Sequence, residues 1–282
     1  MLFNLFNTIL APVDFSENTP AIIKQTIELA CIGNSTIHLM HVIKSTGFPL
    51  DTESVTAKDI DSYDEMMKKL KQWKQAIEET IPESTVRIHL VKGIVHDKII
   101  ETAKKINPQL IIIGKKSNYN FFAFFKPLCP NELAKFTNCP ILTVSKNSVN
   151  TKIKSIVVPI QSFIPKRKID LIYVFAKQFR AKIYLVALLD KMGADNTKRN
   201  ALLETYTILK TGFNNQIEYH LLNSSNLPKA SLQYAESIGA DMMFVNPGTE
   251  TKISSLTGKY INEIIPPSSK LKILFVEPLH DK

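Results

Sequence analysis

A single carboxylate, Asp14, lies where the sequence predicts that a buried strand gives way to a helix. Ile9–Ala11 form a compact apolar run that a Pro-Val-Asp turn closes, and such a run is typical of a strand buried on both faces. Ser16, a candidate helix N-cap, and Pro20, which suits a helix's first turn, predict that a helix follows. Asp14 is therefore expected just beyond a strand's carboxyl end, where open α/β sheets bind ligands. It could accept hydrogen bonds from a ligand, or serve only as a turn residue or local cap.

The pattern around Asp14 returns in the second half of the chain. Residues 155–162 read SIVVPIQS, with Gln161 at the position that Asp14 holds in the first copy. This repeated pattern predicts a duplicated module whose two copies differ at the residue best placed to contact a ligand.

The histidines are the residues whose type could bind a metal ion. His38 and His41 are three apart, so on a strand they face opposite sides of the sheet, and His89 and His96 are separated by a turn. We therefore expect no metal site from these residues or from His220. The chain also lacks a Ser-His-Asp order, a G-x-S-x-G elbow and a Walker A lysine.

Composition indicates a globular protein. The 282 residues suffice for two domains, and 44% are hydrophobic and 22% charged. No apolar run approaches the roughly 20 residues that span a bilayer, so no membrane association is expected.

The net charge of +9 is spread over lysine-rich segments at 68–71, 104–105, 115–116 and 166–168, which predicts solvated helix faces rather than a nucleic-acid partner. Three scattered cysteines, Cys31, Cys129 and a packed Cys139, favour a reducing cytoplasm.

Strands alternate with helices along both halves. The first half has predicted strands at 9–11, 36–43, 86–91, 110–113 and 140–144, helices at 20–30, 63–80, 96–105 and 131–137, and a loop at 44–62. The second half repeats the order, with strands at 156–160, 182–188, 217–222, 241–245 and 271–276 and helices at 169–179, 200–210, 228–238 and 260–265. This predicts two tandem, doubly wound α/β domains, 1–146 and 153–282, each with a mostly parallel five-stranded sheet, joined by a polar linker at 145–154.

Five short motifs in the first half resemble those of the universal stress protein family. They are APVDFSEN around Asp14, LMHV ending at Val42, GIVHDKII from Gly93, IIIG ending at Gly114, and NCPILTV at 138–144. Their order and spacing are similar to those of a tandem two-domain member, which implies a Rossmann-like fold of the adenine-nucleotide alpha hydrolase type.

The resemblance implies an adenine-nucleotide site in the first domain. In the family's ATP-binding branch, the positions of Asp14 and Val42 meet the adenosine, and a G-x-x-G-x9-G-[ST] segment holds the phosphates with backbone amides. The first glycine falls on Gly114, the second on Ser117 and the third on Pro127, which has no amide hydrogen to donate. The site implied for ATP or AMP, with no metal required, comprises Pro12, Val13, Asp14, Val42, Gly114, Lys115 and Ser117.

Several of these residues have a simpler interpretation. Gly114 could serve merely to end a strand, and Lys115 could be an ordinary exposed lysine. The aromatic segment 121–125 could be a partner surface or a local core. In the second half, Gln161 and Asn246 replace the aspartate and the first glycine, so no nucleotide is expected there.

The expected function is a cytoplasmic stress-response protein that binds a small ligand, an adenine nucleotide, in its first domain without turnover. One alternative is an interaction protein of the same fold that binds no nucleotide and acts through an unknown protein partner. A second alternative is a weak nucleotide hydrolase. The resemblance also implies that the fifth strands, 140–144 and 271–276, pair within the chain as a pseudo-dimer, and it leaves a further homodimer open.

Overall fold

The computed structural model describes residues 6–31, 34–44, 57–115, 128–148, 152–189, 196–212, 216–253, 259–266 and 268–278, without the side chains of 44 and 57–62. The chain divides into two compact units, Met1–Val149 and Asn150–Lys282. Among the described residues, no helix has both the length and the apolar character that crossing a membrane requires.

The first unit contains five parallel strands. They are β1 (Thr8–Pro12), β2 (Thr36–Lys44), β3 (Thr85–Gly93), β4 (Leu110–Gly114) and β5 (Ile141–Val144). Their order in the sheet is β3-β2-β1-β4-β5, and every neighbouring pair is parallel. β1 is the central strand of the unit, and the apolar residues Ile9–Ala11 of β1 and Leu110–Ile112 of its neighbour β4 are completely buried, as expected for strands covered on both faces.

The helices of the first unit form two groups that pack on its sheet. α1 (Thr19–Ala30) and α2 (Ala57–Thr80) pack against each other, as do α3 (Val95–Ile106) and α4 (Pro130–Thr137). This is the doubly wound arrangement that the alternating pattern predicted.

The second unit repeats the strand order. Its strands are β6 (Ser155–Pro159), β7 (Lys182–Leu188), β8 (Ile217–Leu222), β9 (Met242–Val245) and β10 (Lys272–Phe275), ordered β10-β9-β6-β7-β8 and all parallel. Its helices are α5 (Lys166–Phe179), α6 (Thr197–Gly212), α7 (Leu227–Ser237) and α8 (Ile261–Ile264). The predicted fold class is confirmed in both units.

One local prediction was wrong. The stretch 44–62 was predicted as a loop, but α2 begins at Ala57, since its first turns are too polar to show an amphipathic period. The stretch 145–154 was predicted as a linker, and the boundary between the two units falls inside it, after Val149. Within it, Lys146–Ser148 form a 3-10 helix. Buried Ser145 and Ser148 close this turn: the Ser145 N–H donates to Ser148 Oγ at 3.0 Å, and Ser148 Oγ donates to Ser145 O at 2.8 Å.

Candidate functional site

The candidate site lies at the carboxyl ends of β1, β2 and β4, where the strand order of the first unit reverses. β1 pairs with β2 on one side and with β4 on the other, and the carboxyl ends of strands at such a reversal are where open α/β sheets bind ligands. Pro12 ends β1, Val13 is buried, and Asp14 follows with an exposed side chain. The structure thus places Asp14 where the sequence predicted it.

The turn that carries Asp14 is anchored to β2 by two hydrogen bonds. The Val13 N–H donates to Met40 O at 2.8 Å, and the Val13 carbonyl lies 2.8 Å from His41 Nδ1. Because a carbonyl oxygen can only accept, His41 Nδ1 must carry the hydrogen. Phe15 has a left-handed φ of 56°, and its ring centroid lies 4.5 Å from that of His41. Both neighbours of Asp14 are therefore held by His41.

Asp14 itself has a local role and an exposed carboxylate. Its Oδ1 accepts a hydrogen bond from the Ser16 N–H at 3.0 Å, which is a turn contact of the type expected of aspartate. Its Oδ2 makes no hydrogen bond to any residue that the structure describes. A carboxylate has about four acceptor positions, so the local contact leaves acceptor capacity for a ligand.

Val42 is buried and lies beside this turn. The pairing of β1 with β2 ends at Pro12 and Met40, whereas the pairing of β2 with β3 continues through Val42 and Val91 to Lys44 and Gly93. On the β1 side, the Val42 backbone is therefore beyond the end of the ladder, next to the turn that carries Asp14.

Gly114 allows close packing of helix α1 against the end of β4. A Cβ atom at this position would lie 3.0 Å from Asn18 Cβ and 3.5 Å from Ile22 Cδ1, closer than ordinary contact in the first case. The strand-end interpretation of Gly114 therefore has a structural basis. The Lys115 N–H donates to Val144 O at 2.6 Å, so this amide belongs to the strand ladder rather than pointing to a ligand.

Asn18 is a residue of the site that the sequence analysis did not single out. Its buried amide donates from Nδ2 to Lys115 O at 2.9 Å and accepts at Oδ1 from the Lys146 N–H at 2.9 Å. It is also the N-cap of α1, so the prediction of Ser16 as the cap was wrong. Ser16 instead accepts from the Asn18 N–H at 3.3 Å. The Asn18 side chain makes no capping hydrogen bond, so the preference of asparagine for helix N-caps would not have indicated its contacts with Lys115 and Lys146.

Ser117, a member of the predicted site, lies outside the described residues, and so do Pro127 and the aromatic segment 121–125. The described members are Pro12, Val13, Asp14, Val42, Gly114 and Lys115, and the topology brings all of them to the same edge of the sheet.

Comparison with known proteins identifies the family. The sequence profile of the Universal stress protein family matches residues 5–145, half of the 282-residue chain. The chain belongs to the universal stress protein family. Universal stress protein A homolog 1 from Coxiella burnetii (strain RSA 493 / Nine Mile phase I) is 22% identical over 139 residues, which are 49% of this chain and 96% of the relative.

Solved structures confirm the universal stress protein fold. A universal stress protein from Archaeoglobus fulgidus DSM 4304 superposes over 100% of both chains with a TM-score of 0.69 and 17% identity. A functionally unknown protein from Pseudomonas aeruginosa PAO1 covers 98% of this chain and 94% of its own, with a TM-score of 0.59 and 14% identity. At these identities the likeness concerns the fold.

The second unit of this universal stress protein carries different side chains at the matching edge. Gln161, the counterpart of Asp14, donates from Nε2 to Thr249 O at 3.1 Å. Lys168 and Glu250 form an ion pair of 2.7 Å, and both side chains are only 1% exposed. The prediction that segment 166–168 is a solvated face was therefore wrong for Lys168. Its charge is buried because Glu250, 82 residues away, supplies the partner.

A pair of histidines lies on β2 and β3 of the first unit. His38 Nδ1 and His89 Nε2 are 2.7 Å apart, so one ring donates to the other. Burial, with smaller contributions from the neighbouring His89 and Arg87, lowers the pKa of His38 from 6.5 to about 4. Burial also lowers the pKa of His89, with Arg87 adding to the effect. Within the described residues, no group of three or more His, Cys, Asp or Glu side chains is placed to hold a metal ion.

Proposed function

We propose that the first unit binds an adenine nucleotide, ATP or AMP, without turning it over, and that the protein acts in a cytoplasmic stress response. Membership of the universal stress protein family supports the stress role, and the adenosine-contacting positions of the family's ATP-binding branch are Asp14 and Val42 here. The proposal requires no metal ion.

The exposed carboxylate of Asp14 at the reversal of strand order is the observation that carries the proposal. Its backbone is held on both sides by contacts to β2, through the Val13 N–H and through His41. A carboxylate held in this way can accept hydrogen bonds from a ribose hydroxyl or an exocyclic amine without having to be ordered on binding. The Val42 backbone lies on the neighbouring strand β2, just beyond the last residue pair of the β1–β2 ladder.

The part of the site that would bind phosphates has fewer hydrogen-bond donors than the family's pattern, and this limits how much the phosphates add to the affinity. The Lys115 N–H is engaged with Val144 O, and Pro127 has no N–H to donate. These two positions therefore supply no backbone donor to a β- or γ-phosphate. We expect the affinity for ATP to exceed that for AMP by no more than about tenfold, or about 1.4 kcal/mol. The same shortage of donors argues against turnover.

A second candidate function is an interaction protein that binds no nucleotide. The packing of Asn18 against Gly114 favours it, because the glycine then serves the fold rather than a ligand. Asp14 would in that case act only through its contact to the Ser16 N–H.

Calorimetric titration with ATP, ADP and AMP tests the proposal. Asp14→Asn keeps a side-chain oxygen for the Ser16 N–H but removes the charge, whereas Asp14→Ala removes both. We expect Asp14→Asn to melt like the wild type and to weaken binding by about tenfold or more. Gln161→Ala, at the matching position of the second unit, is the control and should leave binding unchanged. The absence of heat with all three nucleotides would refute the proposal and favour the interaction protein.

A further inference from the structure

A buried ion pair lies at the edge of the second unit where its strand order reverses. Lys168 Nζ lies 2.9 Å and 2.7 Å from the two carboxylate oxygens of Glu250 and donates a third hydrogen bond to Pro159 O at 2.8 Å. The Asn246 N–H donates to Glu250 Oε2 at 2.7 Å. All three donor positions of the ammonium group are therefore used.

The contacts of this pair join the carboxyl ends of two neighbouring strands. Pro159 is the last residue of β6, Asn246 follows β9, and β6 pairs with β9 at the centre of the sheet. Lys168 reaches the position from the first turn of α5, and Glu250 reaches it from the segment after β9. The ion pair thus lies at the carboxyl ends of β6 and β9, the position that corresponds in the first unit to the carboxyl ends of β1 and β4.

The first unit has a different residue at one of these strand ends. The parallel registers match Leu110 of β4 with Met242 of β9, so Gly114 corresponds to Asn246. Asn18 of the first unit connects the ends of β4 and β5, through Lys115 O and the Lys146 N–H. In the second unit, a charged pair connects the carboxyl ends of β6 and β9.

We infer that the Lys168–Glu250 ion pair takes the place in the second unit where a ligand would bind, and that it holds the ends of β6 and β9 together. An ammonium group and a carboxylate supply a cation, an anion and their hydrogen bonds from the chain itself. The second unit therefore keeps one arrangement of its strand ends and takes no ligand between them. This inference concerns a different site from Asp14 and holds whether or not the first unit binds nucleotide.

Chemical rescue of truncated variants tests the inference. Lys168→Ala removes the atoms of a propylammonium ion, and Glu250→Ala removes those of an acetate ion. We expect each variant to melt at least about 5 °C below the wild type, because it leaves one buried charge without its partner. Propylammonium should raise the melting midpoint of Lys168→Ala more than tetramethylammonium at equal concentration, since only the former can donate hydrogen bonds. Acetate should likewise raise the melting midpoint of Glu250→Ala.

Two controls separate occupation of this position from a general effect of charge. Lys182 forms a more exposed ion pair with Glu218 at 2.7 Å, so Lys182→Ala should melt within about 2 °C of the wild type and gain nothing from propylammonium. The double variant Lys168→Met/Glu250→Leu fills the space without charge and should fold with a midpoint close to the wild type. Its segment 246–252 should exchange amide hydrogens at least tenfold faster, because the Asn246 N–H loses its carboxylate acceptor.

Three results would overturn the inference. One is a Lys168→Ala variant that melts like Lys182→Ala. Another is propylammonium acting equally on the wild type and on Lys168→Ala. The third is unchanged amide exchange of segment 246–252 in the folded double variant, which would show that the pair does not hold the strand ends.

Discussion

The histidine pair predicts that the first unit loses stability in mild acid. Burial, with help from His89 and Arg87, places the pKa of His38 at about 4 in the folded chain, against 6.5 for an unperturbed histidine. The unfolded chain therefore binds more protons than the folded chain between these values, and stability falls as the pH drops from about 6.5 to about 4. The difference between 6.5 and about 4 corresponds to about 3.4 kcal/mol. Because His89 lies on the edge strand β3, whose residues are partly exposed, water screens part of the effect, and we expect a loss of about 2 kcal/mol.

Urea unfolding followed by tryptophan fluorescence measures this loss in the first unit alone. The chain has one tryptophan, Trp73, and it lies on α2, which packs on β2 and β3. His38→Asn places an amide near the position of His38 Nδ1, so it keeps a hydrogen bond to His89 but cannot titrate. Between about pH 7 and pH 4.5, the wild type should lose about 2 kcal/mol more than His38→Asn.

A matched control is His220→Asn in the second unit. The registers place His220 opposite Val186 of β7, which makes it the counterpart of His89, and this variant should keep the wild-type pH dependence because the His38–His89 pair is intact. Equal losses in the wild type and in His38→Asn would refute the argument, since the acid sensitivity would then arise from other groups.

Two further substitutions test the packing of the candidate site in the same fluorescence assay. Gly114→Ala should cost about 1–2 kcal/mol, because the new Cβ would lie 3.0 Å from Asn18 Cβ, and an unchanged urea midpoint would contradict the close packing. Asn18→Ala should cost about 2–3 kcal/mol, because Lys115 O and the Lys146 N–H both lose a buried partner. Glu17→Ala, which breaks only an exposed ion pair to Lys146, should stay within about 0.5 kcal/mol, and an equal loss in Asn18→Ala and Glu17→Ala would refute the role of the asparagine.

Much of the fold could be predicted from the sequence because its patterns are local. Apolar runs such as 9–11 and 110–113, each closed by a proline or a glycine, specify buried strands within a few residues. The edges of elements were less predictable, as α2 shows by beginning at Ala57 before any amphipathic period is visible. The motif around Asp14 placed the carboxylate at a strand end for the same local reason.

The sequence by itself therefore determined the order of strands and helices, the duplication and the edge on which Asp14 lies. Only the tertiary structure decided which polar side chains meet. Asn18 contacts Lys115 and Lys146 across 97 and 128 residues, His38 meets His89 across 51, and Lys168 meets Glu250 across 82. These contacts depend on the register of parallel strands and on the approach of helices to them, which no local pattern encodes. From the sequence alone, a buried lysine cannot be distinguished from a surface lysine, because only the tertiary structure shows its carboxylate partner.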